Sequence, residues 1–194
     1  MKCSRFNLVS VLFLVITTNA FSQNDWAVEF RPNLDFPTKD IGEIEPKTGF
    51  GFEVAVSYSF TEHLGAYVGW GYNTFKTTSN LTEFDNDVDM TGYSFGLQFF
   101  HPFSDESKFS YVIRAGGIYN HLEFEDKDGN IFEDTGHGLG YEFGVGIDYT
   151  FLETWHVRPQ IGYRALSRDI EFGDIKSDVD LNYISFGVGI LKTF

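Results

Sequence analysis

Phe186-Gly187-Val188-Gly189-Ile190-Leu191-Lys192-Thr193-Phe194 closes the chain, and Phe143-Gly144-Val145-Gly146-Ile147-Asp148-Tyr149-Thr150-Phe151 stands earlier in nearly the same form. In both, one alternate set is bulky and apolar, and the other is mostly Gly and small polar residues. Successive side chains of a strand point to opposite faces, so each stretch has a greasy face and a small one. A water-soluble β-protein turns its greasy face inward. A barrel whose wall touches lipid, and whose narrow lumen must be filled, needs the reverse.

The same alternation recurs in eight runs, at 26–33, 49–60, 64–75, 91–100, 109–120, 139–151, 155–166 and 182–194. In the second, Phe50, Phe52, Val54, Val56, Tyr58 and Phe60 share one face, with Gly51, Glu53, Ala55, Ser57 and Ser59 on the other. Each run is close to the ~9–11 residues a tilted strand needs to cross a bilayer. The connections alternate short and long. Segments 61–63, 101–108 and 152–154 are short, whereas 34–48, 76–90, 121–138 and 167–181 are long and rich in acids. This alternation predicts an all-β, eight-stranded antiparallel up-and-down transmembrane β-barrel, its short turns towards the periplasm and its long acidic loops outside. A soluble eight-stranded ligand carrier is the competing fold. It predicts an apolar lumen and a polar exterior, the opposite of Glu53, Ala55 and Ser57 within and Val54, Val56 and Tyr58 without.

Register follows from setting Phe151 opposite Trp155, which pairs residues whose numbers sum to 306. Val145 then meets Ile161 and Phe143 meets Tyr163 on the lipid side, while Glu142 meets Arg164 and Asp148 meets Arg158 inside. A slip of one residue would destroy both acid–base matches. Over all runs the inward ionisable set is Glu29, Glu53, Glu142 and Asp148 against Arg31, Arg114, Arg158 and Arg164. Charges in a narrow barrel are poorly solvated and persist only when paired. Arg suits this better than Lys, because its planar fork stays charged and grips a carboxylate with two bonds. The set reads as an ion-paired plug. A narrow ion or small-solute channel is the alternative. Pro159 removes one ladder hydrogen bond from the closed sheet, so a bulge is expected there.

Residues 1–22 read as a cleaved secretory signal peptide, leaving 23–194 as one barrel domain. Lys2 and Arg5 are a basic start, 8–16 is a short apolar run, and Ala20-Phe21-Ser22 places cleavage before Gln23, with Ala20 as the alternative. Cys3 precedes the apolar run, so it does not mark a lipid anchor, and the mature chain lacks cysteine. Loss of Lys2 and Arg5 takes the formal charge from −14 to −16. Such acidity argues against nucleic acid as a partner, since phosphate contacts need Lys and Arg.

Together these features resemble the small outer-membrane β-barrels of the OmpA/OmpX-like type, over residues 26–194. The resemblance implies an outer-membrane location, a monomer surrounded by outer-membrane lipids and lipopolysaccharide, and recognition by the barrel-assembly machinery. In that group a final strand with alternate apolar residues and a terminal Phe is the assembly signal; Phe186, Val188, Ile190 and Phe194 fit. Lys192 occupies a slot usually apolar and could snorkel to the interface. Members of the group differ in role, so fold alone does not fix function.

The remaining motifs carry less. Glu125-Asp126-Lys127-Asp128-Gly129-Asn130 lacks the further oxygen ligands of a calcium loop and reads as a hairpin tip. Asp85-Asn86-Asp87-Val88-Asp89 reads as a solvated loop. His63, His101, His121, His137 and His156 show no metal-ligand spacing, although His121 and His137 flank one long loop and could meet at its base. His156 points into the lumen. A lipid A deacylase of barrel type would want Ser two residues after His, and no His here has it. Trp26, Tyr58, Trp70, Tyr72, Tyr93, Tyr111, Tyr149, Trp155 and Tyr163 read as outward interfacial girdles. The expected role is structural or surface-interaction, with no enzymatic activity, no cofactor and no metal.

Overall fold

Ten strands, all paired antiparallel, build the computed structural model: β1 (Trp26–Pro37), β2 (Ile44–Pro46), β3 (Gly49–Ser59), β4 (Leu64–Ser79), β5 (Asp85–Pro102), β6 (Phe109–Glu125), β7 (Ile131–Asp134), β8 (Gly138–Leu152), β9 (Trp155–Phe172) and β10 (Ile175–Thr193). It describes residues 25–40, 44–79, 85–125, 131–172 and 175–194. The signal-peptide segment 1–22 and the tip 126–130 fall outside these. Eight strands close a barrel in the order β1-β3-β4-β5-β6-β8-β9-β10, with β10 returning to β1. The short β2 and β7 are flaps on β4 and β6.

Closure leaves no free edge, so the barrel strands satisfy their backbone groups within the sheet, as a wall in hydrocarbon requires. Alternation sets the two faces. Phe30, Val54, Val68, Phe95, Ile113, Phe143, Ile161 and Ile190 point out and are exposed. Glu29, Arg31, Glu53, Ala55, Arg114 and Glu142 point in and are buried. Along β8 and β9 the ladder sets Glu142 against Arg164, Phe143 against Tyr163 and Val145 against Ile161.

Three details differ from the sequence reading. Trp155 pairs with Leu152, not Phe151, because the register shifts between Thr150 and Leu152. A two-residue turn at Glu153 and Thr154 closes this hairpin, and the shift is the extra residue that turn leaves over. Pro159 causes no bulge. It pairs with Val188 on one side, and on the other the ladder skips from Gly146–Gln160 to Tyr149–Val157 in the same register. The missing N–H is absorbed as a gap rather than as an added residue.

The strands also run far past the expected ends on the long-loop side. The acidic stretch 85–89, read as a solvated loop, is strand: Asp87 pairs with Lys76, and Asp89 is buried, accepting a hydrogen bond from Tyr72 Oη at 2.5 Å. There the polarity of the wall inverts. Lys76, Asp87, His121, Glu123, Ser167 and Asp180 turn outward, while Phe75, Val88, Met90, Ile118, Leu122, Phe124, Leu166, Leu181 and Tyr183 close an apolar cluster inside. Past the lipid the barrel obeys the ordinary soluble rule, because water now lies outside.

Candidate functional site

The lumen below this apolar cap is where the inward charges meet. Gly96 and Gly116 face each other across β5 and β6, and a Cβ on either would lie 2.7 and 2.6 Å from Tyr67 Oη. The two glycines therefore leave the space that the Tyr67 hydroxyl occupies. The guanidinium of Arg114 sits 3.8 Å from the centre of that ring, and Tyr67 Oη donates to Glu142 Oε1 at 2.5 Å. Gly187 does the same for the stem of Arg31, whose Cγ would be 2.9 Å from a Cβ there.

Around this scaffold the ions interlock. Arg31 donates to Glu29 Oε1 at 3.1 Å and to Glu53 Oε1 at 2.5 Å. Arg164 donates through Nε to Glu142 Oε2 at 2.8 Å and through its other arm to Glu53. Arg158 donates through Nε to Asp148 Oδ2 at 2.9 Å and reaches Glu29 Oε2 at 3.3 Å. Arg114 differs: its nitrogens approach Glu29 at 3.6 Å and Glu53 at 3.5 Å without hydrogen-bond geometry. All eight residues are thus in one continuous cluster, four carboxylates against four guanidiniums.

Three contributors lie outside the eight-residue set, and of these only His156 was read from the sequence as facing the lumen. Tyr67 is the phenol that holds Glu142. Above it, Asp35 is fully buried and accepts from Asn33 Nδ2 at 2.8 Å and from Asn73. Asp35 follows Glu29, Arg31 and Asn33 at the same two-residue step, so continuing the first run past residue 33 would have found it. At the short-turn end His156 meets Asp148 Oδ1 at 2.6 Å and Thr150 Oγ1 at 3.1 Å, lining a mouth of about 330 Å³ with Ser57, Gln98 and Arg158. The void among Arg31, Arg114 and Arg164 is only about 20 Å³, room for roughly one water.

The outer surface places the other named residues. Phe186, Val188, Ile190 and Phe194 are exposed on the outside of the closing strand region. Lys192 Nζ lies 4.9 Å from the Phe194 ring centre and 5.6 Å from that of Trp155, an ammonium resting on aromatic faces. Trp26 packs on Tyr58, and Phe109 on Tyr149, with ring centres 4.9 and 4.7 Å apart. Tyr72, Tyr111 and Tyr163 are only half-exposed. Four of the five histidines fall into stacked pairs at opposite ends: His63 on His101 at 4.7 Å, and His121 on His137 at 4.3 Å. At the loop end, Lys39 Nζ meets Asp180 Oδ2 at 2.7 Å, which lowers the Asp180 pKa and raises that of Lys39.

A closed eight-stranded wall, apolar outside and ion-paired within, defines an outer-membrane barrel. The profile of the outer membrane protein beta-barrel domain matches residues 8–190, and the chain belongs to that family. Among solved structures it is similar to the outer membrane protein OprG from Pseudomonas aeruginosa, at 15% identity over 88% of this chain and 95% of that one, with a TM-score of 0.63. It is similar also to Neisserial surface protein A, at 12% identity over 89% of this chain and 98% of that one, with a TM-score of 0.58. At these identities the likeness is one of fold. In sequence it is 28% identical over 109 residues to the uncharacterized protein YdeU of Escherichia coli (strain K12). That match covers 50% of this chain and 23% of YdeU, so the chain spans about a quarter of the length of this curated relative.

Proposed function

We propose that the protein is a closed, non-conducting barrel of the outer membrane, serving a structural or surface-interaction role through its acidic extracellular hairpins, and that it is not an enzyme. The observation that carries this reading is the double seal of the lumen. The eight-residue ion cluster fills the bilayer-spanning part, and the apolar cluster around Phe75, Met90 and Tyr183 fills the part above it. Among the described residues the cap offers water packed Leu, Phe and Val rather than polar partners, and an ion would have to displace arginines from their carboxylates. This favours a plug over the narrow channel. Lipids and lipopolysaccharide would surround a monomer, and the strand carrying Phe186, Val188, Ile190 and Phe194 would be read by the barrel-assembly machinery after export through the 1–22 signal.

Two measurements test this. Fractionated cells should hold the protein in outer membranes, with a folded band that shifts on heating. In planar bilayers the purified barrel should give no unitary steps. Stable, reproducible conductance steps would replace the plug by the channel reading, and a freely soluble periplasmic product would remove the barrel reading altogether.

A further inference from the structure

The loop end of β6 carries a group of metal-ligating side chains on its outer face. His121 and Glu123 are two residues apart and therefore share that face. β7 lies alongside with Asp134 directly opposite Glu123. One ligand atom each from His121, Glu123 and Asp134 lies within 4.8 Å of the other two, and His121 Nδ1 is 3.0 Å from Asp134 Oδ1. The His137 ring stacks on that of His121, at 4.3 Å and 17°.

The backbone holds these groups in place. Thr135 N–H donates to Leu122 O at 3.0 Å, and Leu122 N–H donates to Thr135 Oγ1 at 2.9 Å. The Leu122 side chain is anchored in the apolar cluster. Gly136, at φ +63°, turns the chain so that its N–H reaches Asp134 Oδ1 at 2.8 Å and His137 comes back over His121. A carboxylate directly opposite another carboxylate is unfavourable in a strand pair unless a cation lies between them. The donor set is imidazole plus carboxylate, which suits zinc and its transition-metal neighbours. Calcium and magnesium prefer all-oxygen sites.

We propose that His121, Glu123 and Asp134 form a surface site for a zinc-class divalent cation, with His137 completing it by turning its ring edge towards the ion. The site lies outside the lumen and does not depend on whether the barrel conducts.

The test is calorimetric titration of the folded full chain in detergent with zinc, and separately with calcium. The expected result is saturable zinc binding at one ion per barrel and a far weaker calcium response. H121Q and D134N should each weaken zinc binding by roughly tenfold or more, about 1.4 kcal/mol, and H137A by a smaller factor. H63Q, in the stacked pair at the other end, should leave it unchanged. The heat-shifted gel band checks that each variant is folded, and E123Q stands in for any that is not. Absence of saturable zinc binding, an equal calcium response, or zinc binding undiminished in both H121Q and D134N overturns the proposal.

Discussion

Replacing Arg164 by Met keeps most of the side-chain volume and removes one guanidinium from the centre of the lumen. Arg164 is the bridge between Glu142 and Glu53. Without it Glu142 keeps the Tyr67 phenol, and Glu53 keeps Arg31 at 2.5 Å. Four carboxylates then face three guanidiniums. Breaking a buried ion pair costs roughly 3–5 kcal/mol, and because each stranded carboxylate retains a donor the lower end applies, about 3 kcal/mol. With a urea dependence of roughly 2 kcal/mol per molar, the unfolding midpoint should fall by about 1.5 M. Unfolding from lipid vesicles can be followed by the fluorescence of Trp26, Trp70 and Trp155, with the gel shift as a second probe. Arg114→Met is the control. It removes the same charge but no hydrogen bond, leaving Glu29 and Glu53 with their other arginines. Its loss should be near the value of a desolvated cation–aromatic contact, about 1–2 kcal/mol. An R164M midpoint within error of the parent refutes the pairing argument. Equal losses in R164M and R114M would mean that the summed field of the cluster, not its hydrogen bonds, holds the lumen together.

Gly116→Ala puts a methyl against the Phe95 carbonyl oxygen, as well as 2.6 Å from Tyr67 Oη, and should cost about 2 kcal/mol as overpacking, read as a lowered urea midpoint; an unchanged midpoint would show that the β5–β6 approach beside Tyr67 is not tight. Phe75→Ala in the cap should cost about 3–5 kcal/mol yet leave the barrel electrically silent, because the ion cluster still closes the lumen beneath it; conductance steps in F75A alone would show that the arginines do not seal. Burial pushes the Asp134 pKa up, but hydrogen bonds from His121 and the Gly136 N–H outweigh it and hold the value below its ordinary 3.8. The stabilisation is therefore present above that ordinary value and is lost as pH falls through the lower folded one. Amide exchange at Gly136 should accelerate in that acid window, and a rate following only the intrinsic pH dependence would contradict the hydrogen bond.

The two-residue period carried most of the fold because the barrel is closed and faces two unlike media. Once Glu142 meets Arg164, every inward position of β8 and β9 follows. The period also marked the eight inward charges: six share their parity with inward glycines, and Glu29 and Arg31 lie opposite the apolar parity of Val28 and Phe30. What it left out lies where a second criterion overrode it. The runs were cut to the height of a bilayer, yet Asp35, Thr77 and Val88 continue the same parity beyond that height. Strands extend there because pairing satisfies backbone groups in water as well as in lipid. The apolar cap was hidden for a further reason. Its residues lie inward among outward acids, and a rule that reads greasy as outside fails once the medium outside becomes water. The assignment of face by polarity therefore needs the parity to be carried through the membrane boundary unchanged while the expected polarity is inverted at it. Applied to β5, this places Val88 and Met90 inside with Gly92 and Ser94, and puts Asp87 and Asp89 on the face of Tyr93, where Asp89 is covered by its hydrogen bond from Tyr72.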